Sequence, residues 1–198
     1  MKKTIEFYFD FGSPTSYLAW TQLPKIAAAG GAQLNYHPTL LGGVFQATGN
    51  HSPVEIPLKG VWMMKDLARF SMRYGVPFNP NPFFPINTLQ LMRAATGVQL
   101  RKPELFEHYL ATVFQGMWVD QLNMGDPTVL ITHLTKAGFD PQEILALTQD
   151  QAVKDKLRAD TEAAIHRGIF GLPVMFVDDE MYFGQDRLDF VEEALYKP

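Results

Sequence analysis

The sequence predicts an α/β fold in which a β-α-β start and an α-β-β-α finish enclose a long helical insertion. Three observations carry this. Strand-like runs occur only near residues 4–10, 33–37 and 174–183 of the 198. From Trp62 onward, about a hundred residues carry no strand pattern, and prolines and glycines stand there at helix-end positions. Two late runs, Val174–Val177 and Met181–Phe183, are joined by the acidic turn Asp178-Asp179-Glu180 and read as a hairpin.

Each element has its own signal. Residues 4–10 are rich in β-branched and aromatic types and run into Gly12, as a buried strand entering a turn does. Ser13-Pro14 supplies an N-cap and then a proline at the first helical position, where its missing N–H costs nothing. Pro24 is expected to kink or restart that helix before Gly30-Gly31 ends it. Residues 33–37 form the second strand, and residues 42–50, with three glycines, read as an irregular excursion.

Helices are expected over Trp62–Tyr74 and Asn87–Ala95, separated by a rigid stretch with Pro77, Pro80, Pro82 and Pro85. Pro103–Phe114 and Pro127–Lys136 each open on proline, and Gly138 closes the second. Thr148-Gln149-Asp150-Gln151 matches a capping box for a helix to about Arg167, stopped by Gly168. A last helix spans roughly Arg187–Leu195, with Leu188, Val191 and Leu195 at helical spacing. This order is a thioredoxin-like fold with an inserted all-helical subdomain. One unit is expected, its thioredoxin-like part at 1–50 and 150–198 and its insertion at about 51–149.

Composition narrows the chemistry. A chain of this length, 46% hydrophobic, buries about 70% of the surface its unfolded form exposes and stands without metals or disulfides. The net charge of −4 and the lack of a Lys/Arg cluster leave no electrostatic footprint for nucleic acid. With no cysteine there is no disulfide, thiolate metal site or dithiol exchange, so any catalytic thiol must come from a cofactor. The five histidines lack metal-ligand spacing, and no nucleophile elbow or phosphate-binding loop is present. No signal-like apolar region follows Met1, and no apolar run approaches ~18 residues. A soluble, cytoplasmic protein without a membrane partner is expected.

Ser13-Pro14-Thr15-Ser16 lies at the turn where a thioredoxin-like fold carries its reactive Cys-x-x-Cys. Serine at both cysteine positions can hydrogen-bond but cannot exchange disulfides. Ser13 has two readings, as a plain helix cap or as a donor to a docked thiolate, and they differ in where the hydroxyl points. The helix N-terminus favours a thiolate, and a charge-assisted bond from Ser13 is worth roughly 1.5–3 kcal/mol, about one to two units of thiol pKa.

Pro173 in Gly171-Leu172-Pro173-Val174 stands where thioredoxin relatives place a cis-proline facing that turn, so a cis Leu172-Pro173 bond is expected, with Leu172 backbone groups open to a bound peptide. Lys59 and Asp186 are single charges at element boundaries; they are either solvated or the cation and anion that a charged tripeptide needs at opposite ends. Asn50 is a turn residue or a polar ligand contact. Trp62, Met63, Met64, Phe83 and Phe84 are core residues, some of which could line an apolar slot.

Several stretches together resemble one family. These are Phe9–Tyr17, Gly49-Asn50 with Lys59-Gly60, Trp62–Asn87, Gly168–Pro173 and Gly184–Arg187, which span nearly the whole chain. They are similar to the 2-hydroxychromene-2-carboxylate isomerases, relatives of kappa-class glutathione transferases and, more distantly, of DsbA-like oxidoreductases. The resemblance implies glutathione as cofactor, with Ser13 as catalytic serine at its sulfur and Asn50 and Lys59 as contacts. It further implies backbone pairing from Leu172, and Gln185 with Asp186 at the γ-glutamyl end. It implies interconversion of 2-hydroxychromene-2-carboxylate and trans-o-hydroxybenzylidenepyruvate, a small aromatic substrate, and a homodimer. A kappa-like transferase that consumes glutathione and a cysteine-free peptide-binding protein without catalysis remain the alternatives.

Overall fold

The computed structural model describes residues 2–197. Strand β1 (Thr4–Phe9) is the spine of a four-stranded sheet ordered β2-β1-β3-β4. It runs parallel to β2 (Gln33–Pro38), from Thr4 opposite Gln33 to Phe9 opposite Pro38. On its other side β1 runs antiparallel to β3 (Val174–Val177), which pairs antiparallel with β4 (Glu180–Phe183). Alternation decides the faces: Ile5, Phe7 and Phe9 enter the main core, while Tyr8 joins Val44, Ile169, Leu172, Val174 and Phe176 in a smaller core on the opposite face.

Helix α1 (Pro14–Ala29) is one unbroken helix with Pro24 inside it, against the expected kink or restart. A mid-helix proline costs about 3 kcal/mol. Fully burying a leucine returns about 1.5–3 kcal/mol, and α1 buries Tyr17, Leu18, Leu23 and Ala27 together, which outweighs the lost bond. The excursion at 42–50 is largely helix α2 (Leu41–Thr48). Its first turn lacks a side-chain cap of its own, and distant residues supply one: Leu41 N–H donates to Asp10 (2.9 Å) and Leu40 N–H to Thr161 (3.1 Å).

Helix α3 starts at Pro57, five residues before the expected Trp62, and ends at Tyr74 before the left-handed Gly75. Helices α4 (Leu89–Arg101), α5 (Phe106–Trp118) and α6 (Pro127–Lys136) follow, with both α4 and α5 running beyond the expected ends. Helix α7 (Pro141–Gln149) has no counterpart in the sequence reading. It corrects the capping box: Thr148 belongs to α7 and donates to the Leu145 carbonyl, while Asp150 caps α8 (Gln151–His166) by accepting from Ala152 N–H at 2.8 Å. Helix α9 (Leu188–Leu195) closes the chain over the sheet. No strand separates β2 from β3 among the described residues, and no helix among them is long and apolar enough to cross a membrane.

Candidate active site

The turn between β1 and α1 is held from three directions. The Asp10 carboxyl, fully buried, accepts from the N–H of Gly12 (2.8 Å) and of Leu41, tying the turn to the start of α2. Burial raises its pKa, against hydrogen bonds from Gly12, Leu41 and Thr88 that favour the ionised form. From the insertion, the Trp118 indole N–H donates to the Phe11 carbonyl at 2.8 Å. Ser13 N–H donates to the Asp10 carbonyl at 3.0 Å and completes the turn.

Ser13 is buried, with 3% of its surface exposed, and its hydroxyl makes the helix-cap contact and a second one beyond the helix. The oxygen accepts from Ser16 N–H (3.1 Å) and so caps α1, while the same hydroxyl lies 3.0 Å from the Leu172 carbonyl across the turn. The hydroxyl therefore points toward the late loop and not into the helix. The Leu172-Pro173 bond is cis, as expected, and Phe84-Pro85 is a second cis bond. Among the described residues neither Leu172 N–H nor Thr15 N–H has an acceptor. Ser16, the other serine of the pair, is fully buried behind the turn with its hydroxyl unpartnered, and takes no part in the cleft wall.

A cleft of about 530 Å³ opens beside Ser13. Its walls combine the polar Ser13, Thr15, Gln185 and Asp186 with the apolar Leu41, Phe45, Met63, Phe84, Phe170 and Phe183. The Phe170 and Phe183 rings pack 4.8 Å apart. A Cβ at Gly171 would stand 3.0 Å from the Phe183 ring, closer than an ordinary contact. Of the apolar candidates, Met63 and Phe84 line the cleft, Met64 packs on the core, and Trp62 and Phe83 are exposed.

The structure brings Ser13, Asn50, Leu172, Gln185 and Asp186 to one cleft. Asn50 arrives already engaged: its side-chain N–H donates to the Phe170 carbonyl (2.8 Å) and its oxygen accepts from His51 N–H (2.8 Å), which straps the end of α2 to the segment before Leu172. Gln185 is buried, and Asp186 is exposed and paired with Arg187 at 2.6 Å. Lys59 is not in the wall. It stands exposed in the first turn of α3, one turn before Met63 on the same helix face. Asp10 and Thr15 have no role of their own in the sequence reading, although both lie in its Phe9–Tyr17 motif, and His51 stands there only among the histidines without metal-ligand spacing; the signal for Asp10 is a charge at the end of an otherwise buried strand.

The sequence pattern of the DsbA-like thioredoxin domain matches residues 4–196. A 2-hydroxychromene-2-carboxylate isomerase of Sphingobium xenophagum is 33% identical over 98% of this chain and 99% of its own. Glutathione S-transferase kappa 1 of Homo sapiens is 30% identical over 98% of this chain and 92% of its own. A solved structure of 2-hydroxychromene-2-carboxylate isomerase superposes with a TM-score of 0.82 at 31% identity, covering 97% of this chain and 94% of that one. A probable DsbA oxidoreductase from Streptomyces coelicolor shares the fold, with a TM-score of 0.73 at 19% identity over 98% of this chain and 88% of that one. The chain thus belongs to the DsbA-like thioredoxin family, in the group that holds the 2-hydroxychromene-2-carboxylate isomerases and the kappa glutathione transferases.

Proposed function

We propose that the cleft binds glutathione and isomerises a small aromatic acid, converting 2-hydroxychromene-2-carboxylate to trans-o-hydroxybenzylidenepyruvate. The observation that carries this is the pairing of a buried hydroxyl at a helix N-terminus, Ser13, with an aromatic-walled slot in one cleft. The donor set fits the tripeptide: Thr15 N–H and Leu172 N–H lack acceptors among the described residues, and Asp186 supplies an anion for an ammonium group. When bound, glutathione would supply a thiolate for reversible addition to a conjugated carbon of the substrate.

Ser13 has the task of turning its proton toward the sulfur, while the α1 N-terminus favours negative charge beside it. Asn50 holds the Phe170–Leu172 segment in place, and Gln185 and Asp186 hold the γ-glutamyl end. To Lys59, exposed in the first turn of α3, falls a carboxylate of the tripeptide in this reading. Residues 1–50 and 150–198 carry the thiol end of the reaction, and insertion residues 51–149 supply Met63 and Phe84 to its aromatic end. A cytoplasmic homodimer is the expected working form.

Stabilising the thiolate makes it a better leaving group, so addition is reversible and the cofactor is returned. The test follows the chromene spectrum with catalytic glutathione and measures total free thiol at the end. Turnover should require glutathione and leave the thiol undiminished. Stoichiometric thiol loss would establish the kappa-type conjugation instead, and no spectral change in a folded, glutathione-binding sample would rule out this substrate.

A further inference from the structure

Thr15 brings a second hydroxyl to the Ser13 turn. Its oxygen lies 2.8 Å from Ser13 Oγ and 3.3 Å from the Leu172 carbonyl, which is itself 3.0 Å from Ser13 Oγ. Three oxygens meet in one triangle, and only two hydroxyl protons are available to fill three contacts. Among the described residues the Leu172 carbonyl has no donor apart from these two hydroxyls, and Leu172 is 5% exposed. A buried carbonyl left without a donor is costly.

Ser13 faces a conflict. It has one proton, and a proton turned toward a thiolate is withdrawn from the Leu172 carbonyl. We propose that Thr15 is a positioning residue that takes over the Leu172 carbonyl and frees the Ser13 proton for the thiolate. In the resting arrangement Ser13 donates to Leu172 and Thr15 donates to Ser13; with a thiolate present, Thr15 donates to Leu172 and Ser13 to the sulfur. Both protons stay on their own oxygens, no covalent bond changes, and Ser16 N–H continues to donate to Ser13 Oγ in both states. Thr15 lines the cleft and is only half-buried, so its hydroxyl has room to turn.

This inference rests on the glutathione reading and is tested apart from it. Thr15→Val keeps the shape and removes the hydroxyl; Thr15→Ser restores it. The thiol of bound glutathione is titrated by ultraviolet difference absorbance, and affinities for glutathione and S-methylglutathione, which forms no thiolate, are measured by calorimetry. In Thr15→Val the thiol should titrate about one pH unit higher, with glutathione bound about tenfold more weakly at pH 8. S-methylglutathione should bind both proteins equally, and Thr15→Ser should behave as wild type. An unchanged thiol pKa in Thr15→Val, beside a raised one in Ser13→Ala, would overturn the role of Thr15 and leave the glutathione reading intact. Equal weakening of both ligands would reduce Thr15 to a shape element and overturn the proposal as well. Failure of the wild-type protein to bind glutathione would overturn both readings.

Discussion

Ser13 caps α1 and, under the proposed function, donates to a thiolate with the same hydroxyl, and the two tasks have separable energies. As the cap of α1 it accepts from Ser16 N–H, a bond worth about 1 kcal/mol on average. As a thiolate donor it is worth roughly 1.5–3 kcal/mol. Ser13→Ala should therefore fold, with a modest loss of stability in urea titration, but should lose most activity and shift the bound thiol upward by about one to two pH units. A drop in stability with an unchanged thiol pKa would reduce Ser13 to its cap. Legibility at this scale follows sequence distance. Ser13 is readable because its cap, the following proline and Ser16 are local. Asp10 and Thr15 are not, since their partners lie 31 and 157 residues away, at Leu41 and Leu172. Asn50, readable by type as a turn residue or a ligand contact, lines the cleft and also makes backbone bonds to Phe170 and His51 that its type does not reveal.

Elements were legible where a cap or a period is written locally. Helix α6 is bounded as expected because Asp126 and Pro127 start it and Gly138 follows its end. Helix α2 was not legible, since its glycines argue against helix and its capping acceptors come from Asp10 and Thr161. Helix α7 was missed although Asp140-Pro141 repeats the Asp126-Pro127 signal, because the apparent capping box at Thr148 drew the boundary elsewhere. Helices α4 and α7 meet at Gly97, where a Cβ would lie 2.8 Å from Leu147 Cβ. Two effects compete in Gly97→Ala. Helix propensity favours alanine by about 1 kcal/mol, whereas overpacking costs about 1–3 kcal/mol. Because the clash is with the root of Leu147 and not its flexible end, overpacking wins. Thermal unfolding of Gly97→Ala should show a lower midpoint than wild type; a raised midpoint would mean that α7 moves aside freely.

At the scale of the whole molecule, the two faces of the sheet are closed by different physics. One face is packed by aromatic and aliphatic side chains, Phe7, Phe9, Phe11, Phe114 and Trp118 among them. The other is closed by α2 and α8 over a charged and aromatic layer that supports Leu172 from below. There the His37 ring stacks on Tyr8 with centroids 4.4 Å apart, and the Arg167 guanidinium lies 3.8 Å from the Phe176 ring centre while pairing with Glu6 and donating to Tyr8. His37 Nε2 is buried without a hydrogen-bond partner, 3.7 Å from Glu6. Burial lowers the His37 pKa below 6.5, and Arg167 and Lys156 act the same way; Glu6 and Asp160 oppose them and do not prevail. The folded protein thus keeps His37 neutral at a pH where the unfolded chain already binds a proton. Stability is fully present above about pH 6.5 and is lost as the pH falls from there through the lowered native pKa, by about 1.4 kcal/mol for each unit of lowering. Asp10 acts in the other direction: its raised native pKa lets the folded state take up a proton first, which adds stability from that pKa down to about 3.8. The Asp10 contribution is common to the wild type and to His37→Phe, so it cancels in their difference. Urea midpoints measured at pH 8, 7, 6 and 5 should fall more steeply for the wild type than for His37→Phe, which retains a ring to stack on Tyr8 and has no proton to bind. Parallel pH profiles for the two proteins would show that the imidazole titrates in the folded state as it does in the unfolded chain.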